Sequence, residues 1–387
     1  MTTELVREIM QDYARQTGLA PATVHPRRYL WTDAFAVCGY LELWSRTDDK
    51  SFLDLCLSLV DQVHHTLGRH RDDDARRGWI SGLDEQEGES HPTIGGLRIG
   101  KQLNERRQSQ PPSERLEWDR DGQYYHYLTK WMHALNCVSQ AAADPTFTRW
   151  AIEMAKAAHA RFTYPAPSGH GKRMYWKMSI DLTYPLVSSM GQHDPLDGFV
   201  TYNELQAAAT GYHAASSLPD LKTEIADNAE ICRGISLATD DPLGTGGLLF
   251  DAARIAQLII KGGLKDEGLL ESVVDFALYG LAAFARDGTF EQPADFRLAF
   301  RELGLSIGLS AAEKIQKWLV ENPGLFRKKS CLERRTEELM AYAPLGKTIE
   351  QFWMEEENRQ AVTWTEHREI NMVMLAISLA PGRFLRL

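Results

Sequence analysis

The sequence lacks several patterns that identify common protein classes. It has no 18-residue apolar run, so no transmembrane span is predicted. Its first 18 residues carry charges throughout and lack the apolar core of a signal peptide. The formal net charge is -10 at pH 7, and this argues against a nucleic-acid or anionic-membrane partner, because both attract a basic patch.

Cysteine is scarce and no CxxC pair occurs. The five cysteines are odd in number, widely spaced and mostly set in apolar helical runs: Cys38, Cys56, Cys137, Cys232 and Cys331. This placement is typical of small buried hydrophobic residues in a reducing cytoplasm. We therefore expect a cytoplasmic protein without a zinc site, and we predict no metal or other cofactor.

Two further absences limit the chemistry. Residues 239–247, TDDPLGTGG, are rich in glycine before a helix, but they lack the GK[ST] of a P-loop and the preceding strand of a dinucleotide site. Nucleotide binding is therefore not expected. The EH pair at Glu366 and His367 does not belong to an HExxH zinc motif.

What the chain does contain is a repeated type of helix. Its clearest copy is residues 29–44, YLWTDAFAVCGYLELW, which has aromatic and charged residues in the first turn and an almost uncharged body. A helix without a polar face is expected to be buried. Similar helices are predicted to begin near residues 123, 200, 246, 295 and 364.

Each of five such helices is followed by an amphipathic partner. Two of the connections are alike, since RTDDKSF and ADPTFT each place an acidic turn before the partner helix. The sixth partner is either the N-terminal helix or a helix within 331–343. Helical hairpins that recur without strands indicate a solenoid or a closed ring. Six hairpins predict an all-α (α/α)6 toroid, and we assign residues 1–387 to a single domain.

One long segment does not follow this pattern of helical hairpins. Residues 69–122 are rich in glycine, proline and charge and have no sustained period. Loops of this length are uncommon in compact domains. The interspersed residues Trp79, Ile80, Ile94, Leu97 and Trp118 predict an ordered excursion, either a lid or a dimer contact.

The alternation of buried and amphipathic helices resembles the six-hairpin glycosidase-like superfamily. The resemblance rests on RTDDKSFLDLCLSLVDQV and AADPTFTRWAIEMAKAA, each of which follows a buried helix. It is architectural and includes no catalytic signature. The superfamily contains glycoside hydrolases, polysaccharide lyases and N-acylglucosamine 2-epimerase-like isomerases, so the fold alone does not fix the function.

In such a ring, the starts of the inner helices open on one end, and their polar side chains become candidates for one cavity. The candidate catalytic residues are Asp33, Asp121, Glu366 and His367. Candidate substrate-binding residues are Trp31, His91, Arg98, Trp118, Asp119, His126, Trp176, His193, Asp197 and Arg301. Aromatic faces pack against sugar rings, and glycoside hydrolysis needs one protonated and one ionised carboxyl group.

Each assignment has a structural alternative. Asp33 could instead cap its helix or pair with Arg28. Asp119 and Asp121 could serve only as turn and cap residues, and His126 could be a satisfied core histidine. The loop GQHDPLDG offers His193, Asp194 and Asp197 as metal ligands, but turn chemistry also explains its DP and DG pairs.

The leading functional prediction is a carbohydrate-active enzyme, and specifically a glycoside hydrolase with paired carboxylates. The alternative is a sugar epimerase in which His367 pairs with His126 or His193. A third reading, from a different class, is a protein that binds a ligand without turnover or acts as a scaffold. The sugar, the linkage and the oligomeric state, including a homo-oligomer, are left open.

Overall fold

The computed structural model describes residues 2–167, 169, 171–211, 218–326 and 329–387. Helices make up most of this part of the chain, and the strands in it are two or three residues long. The chain divides into two compact units, one of residues 14–235 and one of residues 2–13 with 236–387. The assignment of residues 1–387 to one domain stays a prediction.

The unit of residues 14–235 is built mainly from helices. They are α2 (Leu30–Thr47), α3 (Lys50–Leu67), α4 (Glu85–Ser90), α5 (Glu114–Glu117), α6 (Tyr125–Ala142), α7 (Pro145–Phe162), α8 (Asp194–Gly211) and α9 (Lys222–Cys232). Five short strands accompany them: β1 (Gln123–Tyr124), β2 (Thr163–Pro165), β3 (Lys172–Met174), β4 (Lys177–Met178) and β5 (Pro185–Val187).

The two acidic turns form matching helical hairpins, as the sequence predicts. Helix α2 is followed by Asp48 and α6 by Ala143, and both residues adopt a left-handed conformation that stops the helix. The next residue, Asp49 or Asp144, caps the partner helix by accepting a hydrogen bond from a backbone N–H two residues later. Buried helix α2 thereby connects to α3, and α6 to α7, through a single turn.

Helix α8 begins earlier than the sequence predicts. The predicted loop 191–198 supplies its first turn, so that Asp194 and Asp197 lie inside the helix rather than before it. A negative charge in a first turn is stabilised by the helix dipole, and the earlier start places Asp197 there. Residues 212–217, at the end of the predicted helix, lie outside the described residues.

The predicted short strand in RMYWKM is present as two strands. β3 pairs with β2, while β4 pairs antiparallel with both β1 and β5. The pairing of Tyr124 with Lys177 brings the β3–β4 connection, which carries Trp176, beside the start of α6. This small sheet therefore helps to form the candidate site.

The predicted excursion 69–122 is ordered and includes α4 and α5. Trp79, Ile80 and Leu97 are buried, whereas Ile94 and Trp118 are exposed. The chain of the excursion is held by isolated bridges between Arg69 and Trp79 and between Leu103 and Arg120. Its role as a lid or a dimer contact stays a prediction.

The second unit contains the remaining helices. They are α1 (Thr2–Gln16), which begins in this unit, α10 (Pro242–Ile260), α11 (Glu267–Phe284), α12 (Ala299–Glu321), α13 (Lys329–Met340), α14 (Ala343–Met354), α15 (Val362–Glu366) and α16 (Arg368–Leu379). Short 3-10 turns occur at Thr289–Glu291, Ala294–Phe296 and Asn358–Gln360.

Two predicted boundaries in this unit are wrong. The fifth buried helix and its predicted short partner form one continuous helix, α12, because no breaking residue separates them. The last buried helix is instead divided at His367 into α15 and α16. The side-chain N–H groups of Asn371 donate to the carbonyl oxygens of Thr363 and Trp364 at this break, which satisfies acceptors that an unbroken helix would have used internally.

Helix α10 is long and apolar enough to cross a membrane by length and composition, a property that the sequence analysis did not identify. Its most apolar 18-residue stretch is 78% buried inside the structure, and a core helix of a compact unit has the same property. The cellular compartment stays a prediction.

Candidate functional site

The structure gives Asp33 a complete set of partners at the start of α2. Its carboxylate oxygens accept a hydrogen bond from the backbone N–H of Tyr29 at 2.9 Å and one from the Arg28 guanidinium at 3.2 Å. Both charged side chains are fully buried. Arg28 also donates to the carbonyl oxygen of Thr17. These contacts match the alternative in which Asp33 pairs with Arg28 at the start of its helix. The catalytic assignment of Asp33 stays a prediction.

Asp121 is held in a similar way. One carboxylate oxygen accepts from the backbone N–H groups of Gly100 and Gly122, and the other accepts from Arg98 at 2.9 Å and Arg71 at 3.3 Å. Arg98 also donates to the carbonyl oxygens of Thr66 and Arg69. The carboxylate is fully buried, so this cluster ties the two ends of the excursion to the end of α3.

A different arrangement lies at the starts of α6 and α8. Asp197 accepts hydrogen bonds from the Thr129 hydroxyl at 2.5 Å and from the Lys130 ammonium at 2.7 Å. One helical turn earlier, Asp194 lies with its Oδ1 3.6 Å from the His126 Nδ1. We call His126, Lys130, Asp194 and Asp197 the polar cluster.

Two buried atoms of the polar cluster have no hydrogen-bond partner among the described residues. They are Nδ1 of His126 and Oδ2 of Asp194. The distance of 3.6 Å from Nδ1 of His126 to the other Asp194 oxygen, Oδ1, is too long for a hydrogen bond. Buried polar atoms are nearly always paired with protein, water or a ligand. This pair is therefore an incomplete site, in contrast with Asp33 and Asp121.

The electrostatics of the cluster set its protonation. Burial, reinforced by the negative charge of Asp197, raises the pKa of Asp194 to about 8, although Lys130 opposes the shift. Burial and the Lys130 charge lower the pKa of His126. At neutral pH the cluster therefore holds a protonated Asp194 and a neutral His126. A carboxyl group that is protonated at neutral pH can act as a general acid.

Glycine at position 191 allows Asp194 to adopt this position. A Cβ atom placed on Gly191 would lie 2.3 Å from Oδ2 of Asp194. Such a contact is far below van der Waals separation, so a larger residue would displace the carboxyl group. The backbone N–H of Asp194 also donates to the carbonyl oxygen of Gly191.

Aromatic rings lie next to the polar cluster and form what we call the aromatic wall, made of Trp118, Tyr124, Tyr127 and Trp176. The ring centroid of Trp176 is 5.5 Å from that of Trp118 and 5.2 Å from that of Tyr124. The His126 ring stacks on both Tyr124 and Trp176. Trp118 is 54% exposed, and Tyr127 and Trp176 are half-buried. The wall therefore places one exposed ring, that of Trp118, and two half-buried rings near His126 of the polar cluster.

The remaining predicted residues of this unit are placed in several ways. Trp31 is buried and its ring lies 6.4 Å from that of Tyr127, at the edge of the wall. His91 is instead paired through Nδ1 with Glu153 at 2.8 Å. Asp119 is exposed and His193 is half-buried next to Asp194 in the chain. The structure therefore brings together Trp31, Trp118, His126, Trp176 and Asp197 around the wall and the cluster.

Three predicted residues belong to the other unit. Glu366 is exposed at the end of α15, and His367 is half-buried with its ring edge against Phe300. Arg301 pairs with Asp241 at 2.6 Å, and both side chains are substantially exposed. The catalytic assignments of Glu366 and His367 stay predictions.

Sequence reasoning treated two central residues too narrowly. Asp194 was named as a possible metal ligand or turn residue and was not among the predicted catalytic residues, and neither was Lys130. The signal that distinguishes them is spacing across two helices: Thr129 and Lys130 on α6 both reach Asp197 on α8. That pairing is visible only once the two helices are placed side by side.

No protein-family profile and no curated protein sequence matches the chain. Among solved structures, it is similar to a sugar epimerase from a ruminal bacterium, at 9% identity and a TM-score of 0.51 over 98% of both chains. It is also similar to the GH76A α-1,6-mannanase of Salegentibacter sp. HEL1_6, at 11% identity and a TM-score of 0.53 over 100% of both chains. An inactive variant of that mannanase in complex with α-1,6-mannotriose gives 10% identity and a TM-score of 0.54, again over 100% of both chains.

These similarities show the fold. The chain has the all-α, six-hairpin (α/α)6 toroid fold that the sequence predicts. At 9–11% identity these similarities establish only the fold and not the chemistry.

Proposed function

We propose that this protein is a carbohydrate-active enzyme, and specifically a glycoside hydrolase in which Asp194 donates the proton to the leaving oxygen. The observation that carries the proposal is the state of Asp194, a buried carboxyl group with a raised pKa and an oxygen without a partner among the described residues. A general acid must be protonated at working pH, and its oxygen must not be committed to another hydrogen bond when it meets the substrate.

Asp197 supplies the second carboxyl group. It is ionised against Lys130 and Thr129, and its charge helps to keep Asp194 protonated. An ionised carboxylate also stabilises the positive charge that develops on the sugar ring during glycoside cleavage. In this assignment both carboxyl groups lie on one turn of α8, not on helices that face each other.

The aromatic wall supplies the sugar platform. Trp118 and Trp176 offer ring faces of the kind that pack against the C–H face of a pyranose, and Trp118 is open to solvent. The fold similarity to the α-1,6-mannanase is consistent with this chemistry. A variant of that enzyme inactivated by two aspartate-to-asparagine changes was obtained with a bound mannotriose.

The test is a hydrolysis assay on α- and β-linked oligosaccharides that includes α-1,6-mannotriose, with new reducing ends measured by chromatography. We expect one class of substrate to be cleaved by the wild type and by Asp54→Asn, an exposed aspartate on α3. Asp194→Asn should abolish the cleavage. Equal cleavage by Asp194→Asn and Asp54→Asn would overturn the assignment.

A sugar epimerase is the second candidate, and one observation favours it. His126 is held neutral by burial and has an unpartnered Nδ1 beside Asp194, which suits a base that removes a proton from a sugar carbon. The same assay in D2O separates the two reactions. An epimerase introduces carbon-bound deuterium without releasing reducing ends, whereas a hydrolase does the reverse. Binding without either product would indicate a non-catalytic carbohydrate-binding protein.

A further inference from the structure

A second cluster of reactive side chains lies in the same unit and includes residues further along α6 than His126 and Lys130. It consists of Cys38 on α2 with His133 and Cys137 on α6. One ligand atom of each residue lies within 4.8 Å of the others, and all three residues are buried. None of the three takes part in the proposed hydrolysis.

The spacing of the ligand atoms suits a metal ion. His133 and Cys137 are four residues apart and lie on one face of α6, with Nε2 and Sγ 3.6 Å apart. Zinc binds sulfur at about 2.3 Å and imidazole nitrogen at about 2.0–2.1 Å, so two ligands of a tetrahedral ion lie about 3.5–3.8 Å apart. The distance from His133 Nε2 to Cys137 Sγ is within this range, and the other two distances between ligand atoms are at most 4.8 Å.

The other nitrogen of His133 is already oriented. Nδ1 lies 2.9 and 3.0 Å from the two carboxylate oxygens of Glu204 on α8. Glu204 also accepts from the Asn136 amide, whose own oxygen accepts from the Thr148 hydroxyl. A carboxylate that holds the far nitrogen of a histidine is the usual second layer of a protein metal site, because it fixes the ring and the tautomer.

This arrangement is costly unless it serves a purpose. A carboxylate and an imidazole are fully buried here beside two thiols, and a buried ionic pair rarely stabilises a core more than well-packed apolar residues would. A Zn²⁺ ion and two thiolates are neutral as a unit, so with metal bound the charge of Glu204 would be held by its hydrogen bonds from His133 and Asn136. Metal binding would also join α2, α6 and α8 through one set of contacts.

We propose that Cys38, His133 and Cys137 bind one soft d10 metal ion, Zn²⁺ or Cu⁺. Two thiolates and an imidazole are the ligands that such ions prefer. Cu⁺ would be satisfied by the three protein ligands, whereas Zn²⁺ would take a fourth, non-protein ligand. This inference departs from the expectation that the cysteines are only small hydrophobic residues. It does not depend on the proposed hydrolase activity.

The test measures bound metal. The full chain is expressed in medium supplemented with Zn²⁺ or with copper under reducing conditions, purified, and analysed by mass spectrometry for metal per chain. We expect about one ion per wild-type chain from one of the two media, and which medium succeeds identifies the ion. Cys38→Ala and Cys137→Ala should reduce the content at least tenfold. The matched control is Cys56→Ala, a fully buried cysteine on α3, which should retain the ion.

A cysteine variant could lose metal because it fails to fold, so a second variant keeps all three proposed ligands. Glu204→Gln removes only the charge that orients His133, and loss of such a partner weakens metal affinity about 10–100-fold. We expect Glu204→Gln to release the ion to a competing chelator at a correspondingly lower concentration, and we expect chelation to lower the Tm of the wild type. Wild-type protein without metal from either medium would overturn the proposal, and so would a Cys56→Ala variant that loses metal as fully as Cys38→Ala.

Discussion

Asp33 and Asp194 occupy similar positions but are held in opposite ways. Each is a buried aspartate in the first turn or two of an apolar helix, α2 or α8, in the same unit. Asp33 accepts hydrogen bonds from Arg28 and from a backbone N–H, whereas Asp194 keeps one oxygen without a partner among the described residues. Burial and helix position are therefore alike at the two sites, and it is the hydrogen-bond partners that differ.

The largest effect is expected at Asp194. Asp194→Asn preserves shape but cannot supply a proton, so turnover of a confirmed substrate should fall about 10²–10⁴-fold, the usual contribution of a general acid. The effect should be in kcat, because the sugar platform is untouched. Steady-state kinetics beside Asp54→Asn provide the measurement and its control. A kcat within threefold of wild type would remove the distinction between the two aspartates.

Asp33 should show the reverse behaviour. Asp33→Asn leaves the buried Arg28 without its counter-charge, and breaking a buried pair costs about 3–5 kcal/mol of unfolding free energy. Urea denaturation measures the loss. Asp54→Asn should change the unfolding free energy by no more than about 0.5 kcal/mol. If Asp33→Asn were as stable as wild type and inactive, Asp33 would be the catalytic residue after all.

The pH dependence of stability should separate the two aspartates further. A carboxyl group with a pKa of about 8 in the folded state and about 3.9 in the unfolded state binds more protons when folded throughout that interval. Its contribution therefore makes the unfolding free energy fall as the pH rises from about 4 to about 8. Comparing the wild type with Asp194→Asn isolates this slope, which should be absent in the variant. If the unfolding free energies of the wild type and Asp194→Asn varied with pH in parallel, the raised pKa of Asp194 would be contradicted.

The smallest expected effect is at the aromatic wall. Trp118 is more than half exposed and contributes one ring edge to Trp176. Trp118→Ala should therefore raise KM several-fold while leaving kcat and Tm nearly unchanged. Tyr279→Ala, at an exposed aromatic residue outside this unit, serves as the control. A loss of kcat equal to that of Asp194→Asn would place Trp118 in the chemistry rather than in sugar binding.

The sequence predicted the helices well because burial leaves a pattern that can be read locally. The charge-free body of α2 and the acidic caps Asp49 and Asp144 identify the hairpins without reference to the rest of the chain. Boundaries were less accurate where a tertiary contact decides them. At His367, the Asn371 side chain stabilises a break between two helices, and no proline or glycine in the sequence indicates it.

The candidate site could be predicted only in part. His126 was selected at a helix start and Trp118 and Asp197 in loops, while Trp176 lies in a predicted short strand. The structure places these residues near one another, and their role in a site stays a prediction. The role of Asp194 could not be inferred, because it depends on the charges of Lys130 and Asp197 and on a missing hydrogen bond. For the same reason the sequence did not show whether Asp33 is catalytic or is a structural residue that caps its helix or pairs with Arg28.

The most direct test of the difference between the two aspartates is a carbon-13 NMR titration of the aspartate carboxyl groups. The Asp194 resonance is assigned by its absence in Asp194→Asn. We predict that this resonance titrates near pH 8 and shifts when a substrate oligosaccharide binds. An Asp194 carboxyl that titrates near pH 4 and does not respond to any oligosaccharide would contradict the account.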